Sequence, residues 1–366
     1  MSLNRLYNEA GLSWLGMPGS FAELNSSIAH GYTGCLRIHS RPMLVERRNA
    51  ELRRVKTGND FIVFIRVRTM LASLLDYYKS LPLTEEALRF QLEKWLSMQR
   101  SWCCDMSFAT QFPWKETGLP AHYFLQRQVD VDGGHYLTGP RYMAGDLARP
   151  FVDIVAFDAP ITSHVITKIC REWSEIKPQR VRILVPGDIP VCGETDQLIY
   201  ASALTSKGNE AEEHHLTLIR ADARSLSWCM QGLTDAYQRA WEAMPALKES
   251  LLPTNERTLM EKISDGSVFI LYEEAQRVGF IVCEEGTVGF LQAFQITEEV
   301  ILPEYQGRSL ASLAQQVLRK QLCLSGKRNS LLAGTIVPGN RPSIRVAEKA
   351  GRRCVLRYEF LPAGQP

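Results

Sequence analysis

Apolar residues recur along this chain at two spacings, and their alternation predicts a mixed α/β protein. Spacings of three and four residues, typical of one helix face, predict helices over 225–243, 256–264, 310–324 and 344–350. Short apolar runs bounded by turn residues predict strands over 215–221, 268–273, 277–283, 331–337 and 354–361, and 287–302 can hold another strand pair. The second half of the chain therefore has the expected order β-α-α-β-β-β-α-β-α-β.

The first half repeats part of this pattern at a fixed offset. Residues 183–190 resemble residues 335–342, which lie 152 positions later, and the apolar positions of 165–168 fall on those of 317–320. A match kept over helix and strand indicates an internal repeat. The first copy is predicted to have a strand over 151–157 and helices over 61–79, 84–100 and 162–176.

These elements predict two domains, each with a mixed, mostly antiparallel central sheet flanked by helices. Residues 1–45 lie outside the repeat and form an extension. The first domain is expected over 46–205 and the second over 214–366, with 206–213 as a polar, Gly-containing linker.

Composition excludes several classes of protein. The 366 residues carry a formal charge of +2 with no basic block, so nothing indicates nucleic-acid binding. The longest apolar stretch, 61–75, contains two arginines and is too short to span a bilayer, and no signal peptide precedes it. The nine cysteines are scattered, which favours a reducing, cytoplasmic location. Oligomeric state stays open.

Residues 301–311 are the most informative segment, because they pass from an apolar strand through a Gly-containing turn into a helix. Such a turn directs backbone N–H groups and the positive end of a helix dipole at one point, which suits a pyrophosphate. The residues that the sequence assigns to this cradle and the preceding strand end are Val300, Ile301, Leu302, Gln306, Gly307, Arg308, Ser309, Leu310 and Ala311.

The spacing Gln306-x-x-Ser309-x-Ala311 resembles the acyl-CoA signature of the GNAT N-acetyltransferase superfamily, Gln/Arg-x-x-Gly-x-Gly/Ala. Ser309 stands where the family usually has Gly. A second stretch, 337–351, resembles the family motif in which an Asn, here Asn340, enters a helix that ends in Lys-x-Gly-Phe. Arg352 replaces that Phe, and Ala347 replaces the Tyr with which many members protonate the leaving thiolate.

The resemblance implies a tandem GNAT-like fold in which acetyl-CoA, or another acyl-CoA, donates its acyl group to a primary amine without a metal. An N–H near Val300–Leu302 would polarise the thioester carbonyl. Glu298 and Glu299 are the candidate general bases, and they point to opposite faces of their strand, so at most one is expected to face the cleft. Asn340 would hold a water or the pantetheine arm, or simply cap its helix.

The first copy is expected to be degenerate. Its corresponding turn, 158–162, has no glycine and contains Asp158, which repels phosphate, and Pro160, which lacks an N–H. Gly133-Gly134 are expected in a hairpin turn. His30, Cys35 and His39 do not match a zinc spacing, so no metal site is expected.

Two alternatives stay open beside the acetyltransferase. One is a catalytically inactive protein that keeps the GNAT fold for binding. The other is an acyltransferase that uses an acyl carrier protein, for which the sequence offers only the scattered cations Arg319, Lys320, Lys327 and Arg328. The acceptor and the acyl chain length are not specified by these residues.

Overall fold

A computed structural model describes residues 69–204, 216–248, 251–326 and 330–363. The extension 1–45, the linker 206–213 and the histidine and cysteine residues near position 35 lie outside these ranges. The longer helices are α1 (69–77), α2 (Glu85–Ser101), α3 (Ser163–Glu172), α4 (Leu226–Ala243), α5 (Glu256–Ser264), α6 (Leu310–Leu324) and α7 (Arg341–Lys349). Short helical turns lie at Met106–Ala109, Trp114–Thr117, Ala121–Phe124, Met143–Gly145, Ser174–Ile176, Ala223–Ser225, Pro245–Leu247 and Pro303–Tyr305.

The described strands form one sheet of 11 strands. They are β1 (Arg127–Val131), β2 (Gly134–Tyr142), β3 (Pro150–Phe157), β4 (Arg180–Pro186), β5 (Glu194–Ala203), β6 (Leu216–Arg220), β7 (Val268–Glu273), β8 (Gln276–Val288), β9 (Leu291–Ile301), β10 (Leu331–Ile336) and β11 (Arg353–Pro362). Their order is β1-β2-β3-β4-β11-β5-β10-β9-β8-β7-β6, and helices flank the sheet. Two neighbouring pairs, β3/β4 and β9/β10, are parallel and the others are antiparallel, which confirms the predicted mixed, mostly antiparallel character. The strands form one sheet, however, and not the separate sheet predicted for each domain.

The element order predicted for the second half is confirmed, from β6 to β11. Helices α5 and α6 and strand β7 have the predicted bounds. The prediction of a strand pair within 287–302 is wrong, because β8 runs on to Val288 and only β9 follows. Gly289, at φ 62°, makes the turn between these two long strands. Helix α7 begins at Arg341, three residues before the predicted start, because the Asn340 side chain caps it.

The internal repeat appears as the same strand-helix-strand unit in both halves. In the first, α3 connects the parallel strands β3 and β4, and in the second, α6 connects β9 and β10. The turn before α3 spans 158–162, whereas the turn before α6 spans 302–309. The predicted offset of 152 residues is kept between the ends of the two helices, Glu172 and Leu324. It falls to 150–151 over the strands that follow and is shorter still at the turns that precede the helices. The hairpin expected at Gly133 also forms, between β1 and β2.

The two halves exchange their last strands, which the sequence did not predict. Strand β5 belongs to the first half, yet it pairs with β10 along Leu198–Ala203. Strand β11 ends the second half, yet it pairs with β4 along Leu356–Pro362. Because β5 and β11 also pair with each other, the exchange joins both halves into one hydrogen-bonded sheet.

The central hydrophobic core also contains side chains from both halves. Helices α1 and α2 cover strands from both halves, with Leu74 and Leu92 packed in the same apolar cluster as Ile199, Leu331 and Leu356. The tip of the β8–β9 hairpin enters the cluster, where the Phe290 ring lies 4.6 Å from the Tyr78 ring. The hydrophobic effect therefore favours association of the halves as well as the folding of each one.

We expect Ala201→Pro to destabilise both halves together. Ala201 is buried and pairs with Ala333 on one side and Arg353 on the other, so a proline there disrupts the ladder at the exchange. Thermal unfolding should remain a single transition, with a loss of about 3 kcal/mol in the free energy of unfolding.

Ala223→Pro is the matched control, since Ala223 is exposed at the first position of a helical turn, where proline is favoured. Two separate transitions in the Ala201 variant, with one unchanged, would contradict the expectation.

Candidate active site

A large cavity opens where the parallel strands β9 and β10 separate. Their pairing ends at Ala333 and Gln295, and beyond this point Ile296–Ile301 and Gly334–Ile336 diverge. The resulting cavity has a volume of about 950 Å³. Because it passes between strands, residues from both faces of the sheet line it.

One end of the cavity is the turn before α6. Gly307 has φ 77° and Ser309 has φ 62°, so two left-handed residues within three positions turn the backbone sharply into the helix. Gly307, Ser309, Leu310 and Ala311 all line the cavity. No atom lies within 4 Å of the position that a Cβ on Gly307 would take, so the backbone is open there. The unpaired N–H groups of the first helical turn thus face a space that can hold an anion.

The departure from the family signature at Ser309 has a structural consequence. Its left-handed backbone is one that glycine adopts at little cost and other residues at about 1–2 kcal/mol. The Ser309 hydroxyl accepts a hydrogen bond from Lys349 Nζ at 2.5 Å, which ties α7 to this turn. Ser309 therefore keeps the glycine conformation and adds a contact that glycine lacks.

Three residues predicted for the cradle hold the turn with their own contacts. Gln306 Nε2 donates to the Ile301 carbonyl at 2.9 Å and closes the turn on the end of β9, while the residue also lines the cavity. Arg308 pairs with Glu273 at 2.6 Å and does not line the cavity. Leu302 is also outside the lining, and its N–H donates to the Val278 carbonyl at 2.9 Å.

The backbone of β9 offers a further donor to the cavity. In an antiparallel ladder successive residues direct their N–H groups to opposite edges of the strand. Since Leu302 donates toward β8, the N–H of Ile301 is directed toward the edge that faces β10, where the strands have separated. Val300 and Ile301 both line the cavity. Within the predicted stretch Val300–Leu302, Ile301 is thus the residue whose N–H suits an oxyanion.

Glu298 is buried, and both of its carboxylate oxygens accept hydrogen bonds. Its Oε2 accepts from the Tyr237 hydroxyl at 2.7 Å, and its Oε1 accepts from the Thr254 backbone N–H at 3.0 Å and the Thr254 hydroxyl at 2.5 Å. Burial raises the pKa of Glu298, although these bonds act in the opposite direction. With both oxygens engaged by neighbouring helix and loop, this carboxylate fixes the wall on the α4 side.

Glu299 points to the other face and has a spare acceptor. Its Oε2 accepts from Gln315 Nε2 at 2.7 Å, and its Oε1 is buried without a hydrogen bond. Burial raises the pKa of Glu299 to about 7, despite the Gln315 bond and the nearby Arg352 charge. A carboxylate with a pKa near 7 and a free lone pair is suited to accept a proton at neutral pH.

The expectation that at most one of the two carboxylates faces the cleft is wrong. They do point to opposite faces, as predicted, since one contacts α4 and the other α6. Both nevertheless line the cavity, because it extends through the gap between β9 and β10.

Gln315 connects Glu299 to Arg352, and neither Gln315 nor Arg352 was among the predicted site residues. Arg352 Nε donates to Gln315 Oε1 at 3.0 Å, and burial lowers the pKa of Arg352. A Cβ on Gly334 would come within 3.0 Å of Arg352 Nη1, so the guanidinium lies where β9 and β10 separate. Two sequence signals were available: Arg352 replaces the family's Phe, and Gln315 interrupts the apolar face of α6.

Asn340 lines the cavity, but its side chain has a structural role. Its Oδ1 accepts from the Ser343 N–H at 3.2 Å and caps α7. Ala347, where many GNAT members have Tyr, is fully buried in α7 among Tyr200, Ile336 and Ile344. Strand β5 of the first half also reaches the site, since Gln197 lines the cavity.

The corresponding place in the first half holds a smaller cavity, of about 500 Å³, beside the turn 158–162. The Asp158 carboxylate accepts from the His135 N–H and Nδ1, both at 2.7 Å, and from the Thr69 hydroxyl at 2.9 Å. Burial alone would raise the pKa of Asp158, but these bonds outweigh it and lower the pKa. A fixed negative charge therefore stands where the second half presents N–H groups.

Neither a metal centre nor a membrane helix is found in the ranges that the structure covers. In those ranges no group of three or more His, Cys, Asp or Glu side chains is arranged to hold a metal ion. Nor does any of the helices there have the length and apolar character that crossing a bilayer requires.

Comparisons with known proteins find similarity at the level of structure. No protein-family model matches the chain, and no curated protein matches it. Among solved structures, a GNAT-family acetyltransferase from Colwellia psychrerythraea is 12% identical, with 70% of this chain and 96% of that chain covered and a TM-score of 0.43. A GCN5-related N-acetyltransferase from Sphaerobacter thermophilus is 12% identical over 63% of this chain and 82% of its own, with a TM-score of 0.38. A tandem GNAT protein from the clavulanic acid biosynthesis pathway is 12% identical, with 65% of this chain and 82% of that chain covered and a TM-score of 0.36.

Opposite substitutions in the turn before α6 should have opposite effects on stability. Ser309→Gly relieves about 1–2 kcal/mol of left-handed strain at an entropic cost of about 0.5–1 kcal/mol. We expect urea denaturation to show a gain of about 0.5–1 kcal/mol in the free energy of unfolding.

Gly307→Ala is the matched comparison, because its φ is also positive and its Cβ meets no atom. It should lose about 1 kcal/mol. A loss on Ser309→Gly would mean that the Lys349 contact outweighs the strain.

Proposed function

We propose that this protein is an acyl-CoA-dependent N-acyltransferase, with acetyl-CoA as the expected donor and a primary amine as the acceptor. The observation that carries the proposal is the continuity of one cavity, from the N–H groups before α6 to the gap between β9 and β10. The turn suits the pyrophosphate of CoA, and the gap gives a pantetheine arm a path to Glu299 and the Ile301 N–H. The second unit, over 214–366, would act and the first, over 46–205, would not.

Each protein group has a defined task in this proposal. Glu299 accepts one proton from the acceptor ammonium and leaves a nucleophilic amine. The Ile301 N–H stabilises the negative charge that develops on the carbonyl oxygen as the C–N bond forms. When the C–S bond breaks, the thiolate takes up a proton while nitrogen loses its second one, so the products are an amide and a thiol. Holding both reactants side by side in the cavity lowers the activation free energy by an amount on the order of several kcal/mol.

The remaining contacts position these groups. Gln315 fixes the Glu299 carboxylate, and Arg352 fixes the Gln315 amide. Asn340 and Ser309 keep the N-termini of α7 and α6 beside the cavity. The cysteines within the described ranges are all free thiols, which supports the cytoplasmic location expected from the sequence.

A second candidate is a protein that binds acyl-CoA without catalysing transfer. Ala347 favours it, because this fully buried residue removes the hydroxyl that many GNAT members use as the proton donor. Binding of acetyl-CoA with no turnover on a broad panel of amines would support this alternative.

Isothermal titration with acetyl-CoA tests the binding site. Ala311 lies in the first turn of α6 and lines the cavity, so Ala311→Asp places a negative charge beside the expected pyrophosphate. We expect its affinity to fall at least tenfold, which corresponds to about 1.4 kcal/mol. The variant should fold, because a carboxylate in the first turn stabilises a helix.

Ala87→Asp is the control, since it makes the same change in the first turn of α2, away from the cavity. If the native chain binds no acetyl-CoA, the proposed function fails.

The pH dependence of kcat/KM tests the general base. Glu299 must be ionised to accept a proton, so the rate should rise with pH through an apparent pKa of about 7. Glu299→Gln should lower the rate by about 10²–10⁴-fold and abolish this rise, whereas Glu298→Gln should keep it.

The stability of the folded protein should fall with rising pH over the range in which the rate rises. Because the folded pKa exceeds the ordinary value of about 4.3, the free energy of unfolding should fall between about pH 4.3 and about pH 7. Glu299→Gln should reduce that fall. A rise in rate that persists in this variant would assign the base to another group.

A further inference from the structure

Arg239 is a cation on the cavity wall for which the described structure provides no partner. It lies on α4 and is partly buried, and its Nη2 is buried without a hydrogen bond. No hydrogen bond, ion pair or ring contact engages its guanidinium among the described residues. A partly buried, unpaired guanidinium is costly, and an anion beside it would remove that cost.

The helix face that carries Arg239 is shaped to leave space. Ala236 and Ala243 share that face, since they lie three residues before and four after Arg239, and Ala240 lies one helical turn from both alanines. All four residues line the cavity. Three methyl side chains leave room for a small ligand, while the one long side chain among them brings a charge to it.

Other cations that line the cavity are occupied or solvated. Lys349 Nζ donates to Ser309 Oγ, and Arg352 Nε donates to Gln315 Oε1, although Arg352 Nη1, like Arg239 Nη2, is buried without a hydrogen bond. Arg345 is exposed on α7, where water satisfies its charge. Arg239 differs from all three, because it is partly withdrawn from water and has no protein partner.

Arg239 lies on the acceptor side of the proposed reaction. Helix α4 packs on the face of β9 to which Glu298 points, and Tyr237 of the same helix donates to that carboxylate. Helix α6, with the anion-binding turn, packs on the opposite face. A pyrophosphate held at α6 is therefore across the sheet from Arg239, and the ligand of Arg239 is a different anion.

We propose that Arg239 binds the carboxylate of the acceptor, which makes the substrate an amino acid whose ammonium group is directed toward Glu299. This inference rests on the acyltransferase function proposed above. A planar guanidinium pairs with one carboxylate through two parallel hydrogen bonds. One unpaired cation on this wall balances one negative charge. The Glu299 carboxylate, which lines the same cavity from the other face of β9, suits the positive end of the same zwitterion.

Paired substrates test this inference. Amino acids and their decarboxylated amines, such as phenylalanine with phenethylamine and lysine with cadaverine, are compared by kcat/KM with acetyl-CoA. In the native protein we expect at least one amino acid to exceed its amine by 100-fold or more. Arg239→Ala should lower kcat/KM for that amino acid about 100-fold, mainly through KM, and change kcat/KM for the amine less than threefold. Arg239→Lys should recover part of the loss.

Two controls separate the failure of this inference from the failure of the function. Arg257→Ala removes an exposed arginine on α5, and it should leave kcat/KM unchanged for both the amino acid and the amine. Acetyl-CoA affinity, measured by titration, should be unchanged in Arg239→Ala, and a tenfold loss would assign Arg239 to the donor and overturn the inference. Titration of the amino acids into the CoA-loaded chain gives a readout that is independent of turnover.

The remaining outcomes are decisive as well. Equal activity on amino acids and their amines would overturn amino-acid recognition and leave the acyltransferase standing. If Arg239→Ala altered the preference among acyl-CoA donors and left the preference among amines unchanged, the carboxylate bound by Arg239 would belong to the acyl group. That result would also overturn amino-acid recognition. A native chain that binds no acetyl-CoA would overturn the function and the inference together.

Discussion

The hydrogen bonds that β5 makes with β10 and β11 are the interaction on which the whole described structure depends. They place a strand of the first half between two strands of the second. Through β11 the same ladder continues to β4, so neither half completes its sheet alone. The cavity also depends on these hydrogen bonds, because β10 forms one of its walls and pairs with β5 along its other edge. The cavity of the second half is therefore supported by a strand from the first.

The two copies show how one local framework acquires or loses a site. Both have a helix between parallel strands that separate beyond three residue pairs, and both have a cavity at the separation. The difference lies in the turn before the helix. Gly307 and Ser309 bend one turn so that N–H groups face the cavity, whereas the other presents the Asp158 carboxylate, held by His135. A few turn residues thus decide whether an anion is attracted or repelled, while the framework is unchanged.

The sequence predicted what depends on local pattern and missed what depends on distant partners. Helix α6 was predictable because its apolar residues recur at one spacing, and the turn before it because Gly307 marks a backbone that few residues adopt. The exchange of β5 and β11 was not, since alternating apolar residues do not encode which strand lies alongside. For the same reason Glu298 and Glu299 looked equivalent. The bonds that distinguish them come from Tyr237, Thr254 and Gln315, which are distant in the chain.

The strand exchange also has a consequence for how such a chain can change over time. A duplicated copy that no longer needs its ligand is normally free to be deleted or to decay. Here the copy with the altered turn supplies β5, so its loss would remove the neighbour of β10 and open the remaining site. The exchange therefore makes the first copy structurally necessary to the second, independently of any ligand of its own.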